Sequence, residues 1–110
     1  MFNGNMKKGS AELLVLSLVD ERPRHGYEIG KLIEARSGGR LQFRIGSLYP
    51  ILCRLEARGL LAGRWVDKVG ERRRRYYRLT PLGRRWLAGQ RGAWKAFVLT
   101  VNQVMQGRHV

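Results

Sequence analysis

Five guanidinium groups fall within seven residues of this chain: Arg72, Arg73, Arg74, Arg75 and Arg78. Arginine is charged at every physiological pH and presents a planar fork of donors that matches phosphate oxygens, so such a run suits a polyanion. The other reactive side chains are sparse. His25 and His109 are the only histidines, Cys53 is the only cysteine, and nothing among them has the spacing of metal ligands. Ser47, His25 and Asp20 could be drawn as a triad, yet any chain of this length supplies such a triple. No catalytic residue, metal or cofactor is expected. A lone cysteine cannot close an intrachain disulfide, which fits a reducing cytoplasm.

The whole chain shares the bias of the arginine run. Its 110 residues hold 22 Lys plus Arg against 8 Asp plus Glu, a net charge of +14. That is more than solubility needs and implies an anionic partner. Residues 1–55 carry +4 and residues 56–110 carry +10, and Glu71 is the last acid. The bland alternatives are a solvated surface and a codon bias, 17 of the 22 being Arg. Lys7 and Lys8 ahead of the apolar run Ala11 to Val19 have the outline of a secretory leader. Glu12 and Ser17 interrupt that run, and no small-residue cleavage site follows, so no leader is expected. No stretch approaches the roughly 18 apolar residues of a membrane span.

Punctuation divides the chain into short elements. Ser10 is placed to cap a helix from Ala11 to about Asp20, whose Leu13, Leu14, Val15, Leu16, Leu18 and Val19 leave little polar face, so this helix should be central. Glu21 to Arg24 stops it. A second helix runs from about Gly26 to Ser37 and ends at Gly38-Gly39 through left-handed backbone. A third spans about Ile45 to Arg58, with Pro50 in its first turns and Leu48, Ile51, Leu52 and Leu55 on one face. Leu60 to Lys68 and Arg72 to Leu79 read as the strands of a basic hairpin. Thr80-Pro81 opens a last helix reaching about Gln106.

Three short helices, a hairpin and a terminal helix follow the order of a winged helix-turn-helix domain, an α+β fold that is mainly α. The apolar stripe of the third helix packs inward, leaving Gly46, Pro50, Cys53, Arg54 and Ala57 outside, with Ser47, Tyr49 and Arg58 on the flanks. A helix pressed into a major groove about 12 Å wide needs such a slim outer face with a few reaching donors. Ser47, Tyr49, Pro50 and Arg54 are therefore the expected DNA-reading residues, with His25 and Tyr27 at the start of the second helix beside them. In the wing, Arg72, Arg73, Arg74 and Arg75 are the expected DNA contacts, some of them on phosphates or in the minor groove. Strand alternation prevents all of the arginines from sharing one face.

Gly26-Tyr27-Glu28-Ile29, then Gly46-Ser47-Leu48-Tyr49-Pro50 with Leu52 and Leu55-Glu56, then Gly59-Leu60-Leu61, then Arg75-Tyr76-Tyr77-Arg78-Leu79-Thr80 with Gly83 resemble the PadR family of bacterial transcriptional regulators. The resemblance covers about residues 8–105, with the motifs in order and at matching spacing. It implies a dimeric winged-helix repressor: residues 1–80 bind double-stranded operator DNA, with the wing at about 60–79, and residues 81–110 dimerise. It is closest to the subgroup with a single C-terminal helix.

The last helix agrees. Leu87, Trp94, Val98, Val101 and Met105 recur in a heptad pattern with Phe97 beside the seam, an apolar face expected to form a homodimer interface. The family resemblance further implies a small-molecule effector of unidentified chemistry, with this face as its pocket. The bland alternative is packing back on the first helix of the same chain. The helix has no acid, which argues against a cationic effector unless Glu12 of a partner's first helix supplies one. A basic strand pair with Trp65, Tyr76 and Tyr77 also has the composition of an RNA-binding module. Adjacent tyrosines face opposite sides of a strand, however, and no second basic-aromatic strand completes a stacking platform.

Overall fold

The first helix begins earlier than its Ser10 cap signal suggests. In the structure, a computed structural model, the backbone is described for residues 4–107 and side chains for residues 10–107. Helix α1 spans Gly4–Glu21 and runs straight through Ser10. A serine hydroxyl caps a helix only where backbone amides lack carbonyl partners, and the turn preceding Ser10 supplies those partners. The central role holds: Val15 and Leu16 are fully buried, with Ala11, Leu18 and Val19 beside them.

After α1 come β1 (Arg24–His25), α2 (Gly26–Arg36), α3 (Ile45–Ala57), β2 (Leu61–Val66), β3 (Arg74–Leu79) and α4 (Pro81–Met105). The short strand β1 has no signal in the sequence, since two residues show no periodicity. It completes a sheet of order β1-β3-β2, antiparallel throughout, with His25 opposite Tyr76 and Gly63 opposite Tyr77. The hairpin strands are shorter than their composition suggests, so Arg72 and Arg73 lie in the connecting loop. Gly38 and Gly39 take φ of +62° and +80°, ending α2 as the sequence requires.

Arg24 shows how α1 and α2 are joined. The sequence reads this residue as part of a helix stop, but the side chain is buried and every guanidinium nitrogen has a partner. Nε donates to the Leu18 carbonyl at 2.8 Å, Nη1 to Glu28 at 2.8 Å and Nη2 to Glu21 at 2.7 Å. Arg36 adds a two-pronged contact to Glu21 at 2.8 and 2.9 Å. A buried guanidinium is tolerated only when paired and fully bonded, and this one fixes the entry to α2.

Pro50 sits deeper in α3 than a first-turn position. Leu48 already donates to the Arg44 carbonyl, so Pro50 forfeits a regular helix bond, to Gly46. Both residues lie on the exposed side, where that carbonyl is open to solvent. The inner face carries Leu48, Ile51, Leu52 and Leu55, which pack with Leu16, Ile29, Leu61 and Leu87 in one core.

Thr80 and Gly83 seat α4. The Thr80 hydroxyl accepts from the Gly83 amide at 2.9 Å and donates to the Gly59 carbonyl at 2.6 Å. A Cβ on Gly83 would lie 2.1 Å from the Leu60 carbonyl oxygen, so only glycine permits this approach. Leu87 is 1% exposed in the core of its own chain. It therefore does not belong to the exposed seam that the heptad spacing assigns it to, because the first turns of α4 are still docked on the body. Past them the helix projects. The radius of gyration is 15.9 Å and the longest dimension 60 Å, whereas a compact chain of this length has a radius of gyration of about 13 Å. Among the described residues, no helix is long and apolar enough to cross a membrane.

Candidate nucleic-acid interface

Helix α3 presents the outer face its sequence implies. Gly46, Ser47, Tyr49, Pro50, Cys53, Arg54, Ala57 and Arg58 are all exposed while the apolar stripe is buried. Two of them have other engagements. Arg58 turns towards α4, pairing with Glu12 at 3.2 Å and lying 5.0 Å from the Trp86 ring centre. The Cys53 thiol one turn on raises the Tyr49 phenol pKa above its ordinary value. Arg54 has no carboxylate partner among the described residues and is free to reach outward.

Tertiary structure brings the start of α2 and the wing into one place. His25, Tyr27, Lys68, Arg72, Arg74 and Tyr76 line a cleft of about 260 Å³, with Glu71 its one acid. Tyr27 is the hinge of this arrangement: the Lys31 ammonium and the Arg74 guanidinium each lie 5.5 Å from its ring centre. Lys68 donates to the Tyr76 hydroxyl at 3.2 Å. Three cations beside one carboxylate leave a positive cleft between the start of α2 and the wing, with a charge that suits an anionic group.

His25 works first as a structural group. Its Nδ1 accepts from the Glu28 amide at 3.2 Å, capping α2, and its ring meets Tyr76 edge to face at 5.1 Å. Burial, reinforced by Arg74, lowers its pKa, which keeps the imidazole neutral and Nδ1 able to accept. Neither the cap nor the ring pair has a sequence signal beyond a histidine ahead of a helix.

The wing arginines divide. Arg72 and Arg74 point to the cleft and, with Arg78, have no carboxylate partner among the described residues. Arg73 pairs with Asp67 at 3.4 Å and stacks 5.1 Å from Trp65. Arg75 is bonded to Glu56 of α3. The sequence treats these arginines as one class, and the structure leaves only part of that charge open to a partner.

A three-helix body with an exposed recognition helix, a cationic wing against it and a projecting last helix defines a winged helix-turn-helix DNA-binding protein. The chain belongs to the transcriptional regulator PadR-like family, whose sequence model matches residues 15–89. It is 42% identical over 76 residues to a transcriptional regulator of Mycobacterium tuberculosis, a match covering 69% of this chain and 57% of that protein. A PadR family regulator from Eggerthella lenta superposes with a TM-score of 0.79 at 33% identity, covering 92% of this chain and 86% of the other. A Clostridium thermocellum transcriptional regulator reaches a TM-score of 0.84 at 26% identity, with 94% and 97% covered. Proteins of this family regulate transcription and are not enzymes.

Proposed function

We propose that this protein is a cytoplasmic homodimeric repressor that occupies an inverted-repeat operator and responds to a small ligand. The observation that carries the reading is the distal half of α4. Trp94 and Phe97 are 49% and 60% exposed, and Val98, Val104 and Met105 are exposed with them. An apolar face of this size on a projecting helix favours a covering partner, and a second copy offers the same face by two-fold symmetry. Two copies would present two α3 helices to successive major grooves about 34 Å apart.

The effector reading rests on the groove between α1 and α4, about 180 Å³, lined by Leu13, Trp86, Trp94 and Phe97 among others. Its lining is apolar and aromatic apart from Gln90 and has no acid. Glu12 is tied to Arg58, which removes the carboxylate a cationic ligand would need. A flat, uncharged aromatic compound fits this chemistry.

Selection of bound duplexes from a random pool tests the reading. The expected outcome is an inverted repeat with half-site centres about one helical turn apart. Enrichment of an unrepeated site would remove the dimer. Tighter binding of single-stranded RNA than of any duplex at matched salt would replace the DNA reading with the RNA one.

A further inference from the structure

Arg75 differs from Arg72, Arg74 and Arg78 in the direction its side chain takes. Alternation along β3 puts Arg74, Tyr76 and Arg78 on one face and Arg75, Tyr77 and Leu79 on the other. Tyr77 and Leu79 are buried, so Arg75 runs back over the hairpin towards α3. Its Nη2 donates to Glu56 Oε2 at 2.5 Å, and its guanidinium carbon lies 5.6 Å from the Trp65 ring centre and 5.9 Å from that of Tyr77.

Gly63 on β2 makes this path available. A Cβ there would fall 2.6 Å from Arg75 Nε and 2.9 Å from Cζ and Nη2. Its backbone is ordinary strand, so what the glycine supplies is room for the guanidinium where it lies, and a side chain there would push that flexible end aside. The far end of the path matters equally. Tyr49, Cys53 and Glu56 follow one another at helical spacing along α3, beside the exposed positions Pro50 and Arg54. The arginine therefore bonds the wing to the border of the reading face.

We propose that Arg75, Glu56 and Gly63 form a bracket that fixes the wing against α3, making Arg75 a positioning residue for DNA binding and not a phosphate contact. This rests on the DNA-binding reading above. The bracket sets the angle between wing and recognition helix before DNA arrives. Because Arg75 and Glu56 neutralise each other, the pair releases no counterion on binding.

The test uses the full-length protein and a duplex from the random-pool selection, or a random duplex if none is enriched, with affinity followed across a range of salt. Arg75→Ala with Glu56→Ala removes both charges, Gly63→Val removes the path and no charge, and Gly63→Ala is a milder version. Each should weaken duplex binding, by about tenfold for the double variant, the worth of one charge-assisted hydrogen bond. The slope of affinity against salt should stay as in the parent, while amide exchange in β2 and β3 of the DNA-free protein quickens. Arg74→Ala, the control, should lower that slope by about one unit. A double variant whose slope falls like the control's, with wing exchange unchanged, would make Arg75 a phosphate contact and end the proposal. So would parental affinity in Gly63→Val. If the parent protein bound no duplex, the functional reading would fall. Exchange in Gly63→Val would then decide the bracket alone, with unchanged rates overturning it.

Discussion

The end formed by α2, α3 and the wing and the distal half of α4 are finished to different degrees. Around α2, α3 and the wing, the groups that must be placed are held within one chain: Arg24 by Leu18, Glu21 and Glu28, His25 by the Glu28 amide, and Arg75 by Glu56. The cations that lack such partners are solvated and lose little by waiting for DNA. The end of α4 has no core beneath it, and Trp94 has Phe97 as its ring neighbour at 6.1 Å. Charge can stand in water until a partner comes, whereas an apolar face of that size is unfavourable there. The two regions should therefore fail in different ways when altered, and independently of one another.

The sharpest break is Val101→Asp. Val101 is only partly covered by its own chain, so a carboxylate there is tolerable in a monomer and opposed by its symmetry mate in a dimer. Sedimentation should show a folded monomer, and affinity for a palindromic site should fall at least about a thousandfold, towards non-specific binding. A dimer of normal affinity would move the interface elsewhere, most simply to α1. Arg54→Ala acts at the opposite end, with the dimer intact. It should cost about 1–3 kcal/mol on the preferred duplex and less on random DNA, as for loss of a base-edge contact, and competition binding reads the difference. Equal losses would make Arg54 a phosphate contact.

Arg72→Ala and Arg74→Ala should be more uniform. Each is expected to weaken all duplexes alike and lower the salt slope by about one unit, because each removes one charge from the cleft beside Tyr27. Unaltered slopes would leave the wing a solvated edge. The smallest effect belongs to the scaffold. The Arg36 hydrogen bond, assisted by Arg24, lowers the Glu21 pKa from 4.5 to about 2. The folded state therefore gains stability that is present above pH 4.5 and lost as pH falls towards 2. In Glu21→Gln the decline of melting temperature across that window should be shallower, with DNA affinity at neutral pH unchanged. An identical acid limb would place the titrating group elsewhere.

Local patterns carried most of the fold. The 3.6-residue stripe of α3, the apolar run of α1, the glycines after α2 and the Thr80-Pro81 start of α4 each act within a few residues of chain, and the outer face of α3 followed from the stripe alone. Boundaries were less legible. Ser10 is a good cap residue in the wrong place, and Pro50 lies a turn beyond its cheapest position, because capping and proline signals report preference without knowing what the preceding turn supplies.

What the sequence by itself determined is the order of the four helices and the hairpin, the sign of the partner's charge and the apolar face of α4, all set by residue type and period. Tertiary structure decided which arginine does what. Arg24, Arg73, Arg74 and Arg75 are chemically alike, yet one is a buried strut, one is paired to Asp67, one opens on the cleft and one is bonded to α3. Leu87 and Trp94 share a heptad seam, yet the docking of α4 at Gly83 and Leu60 places the first in the core and leaves the second outside. These assignments depend on contacts between residues far apart in the chain, and a side chain's bonding is fixed only when the fold brings its partner, or the absence of a Cβ, to the same point in space.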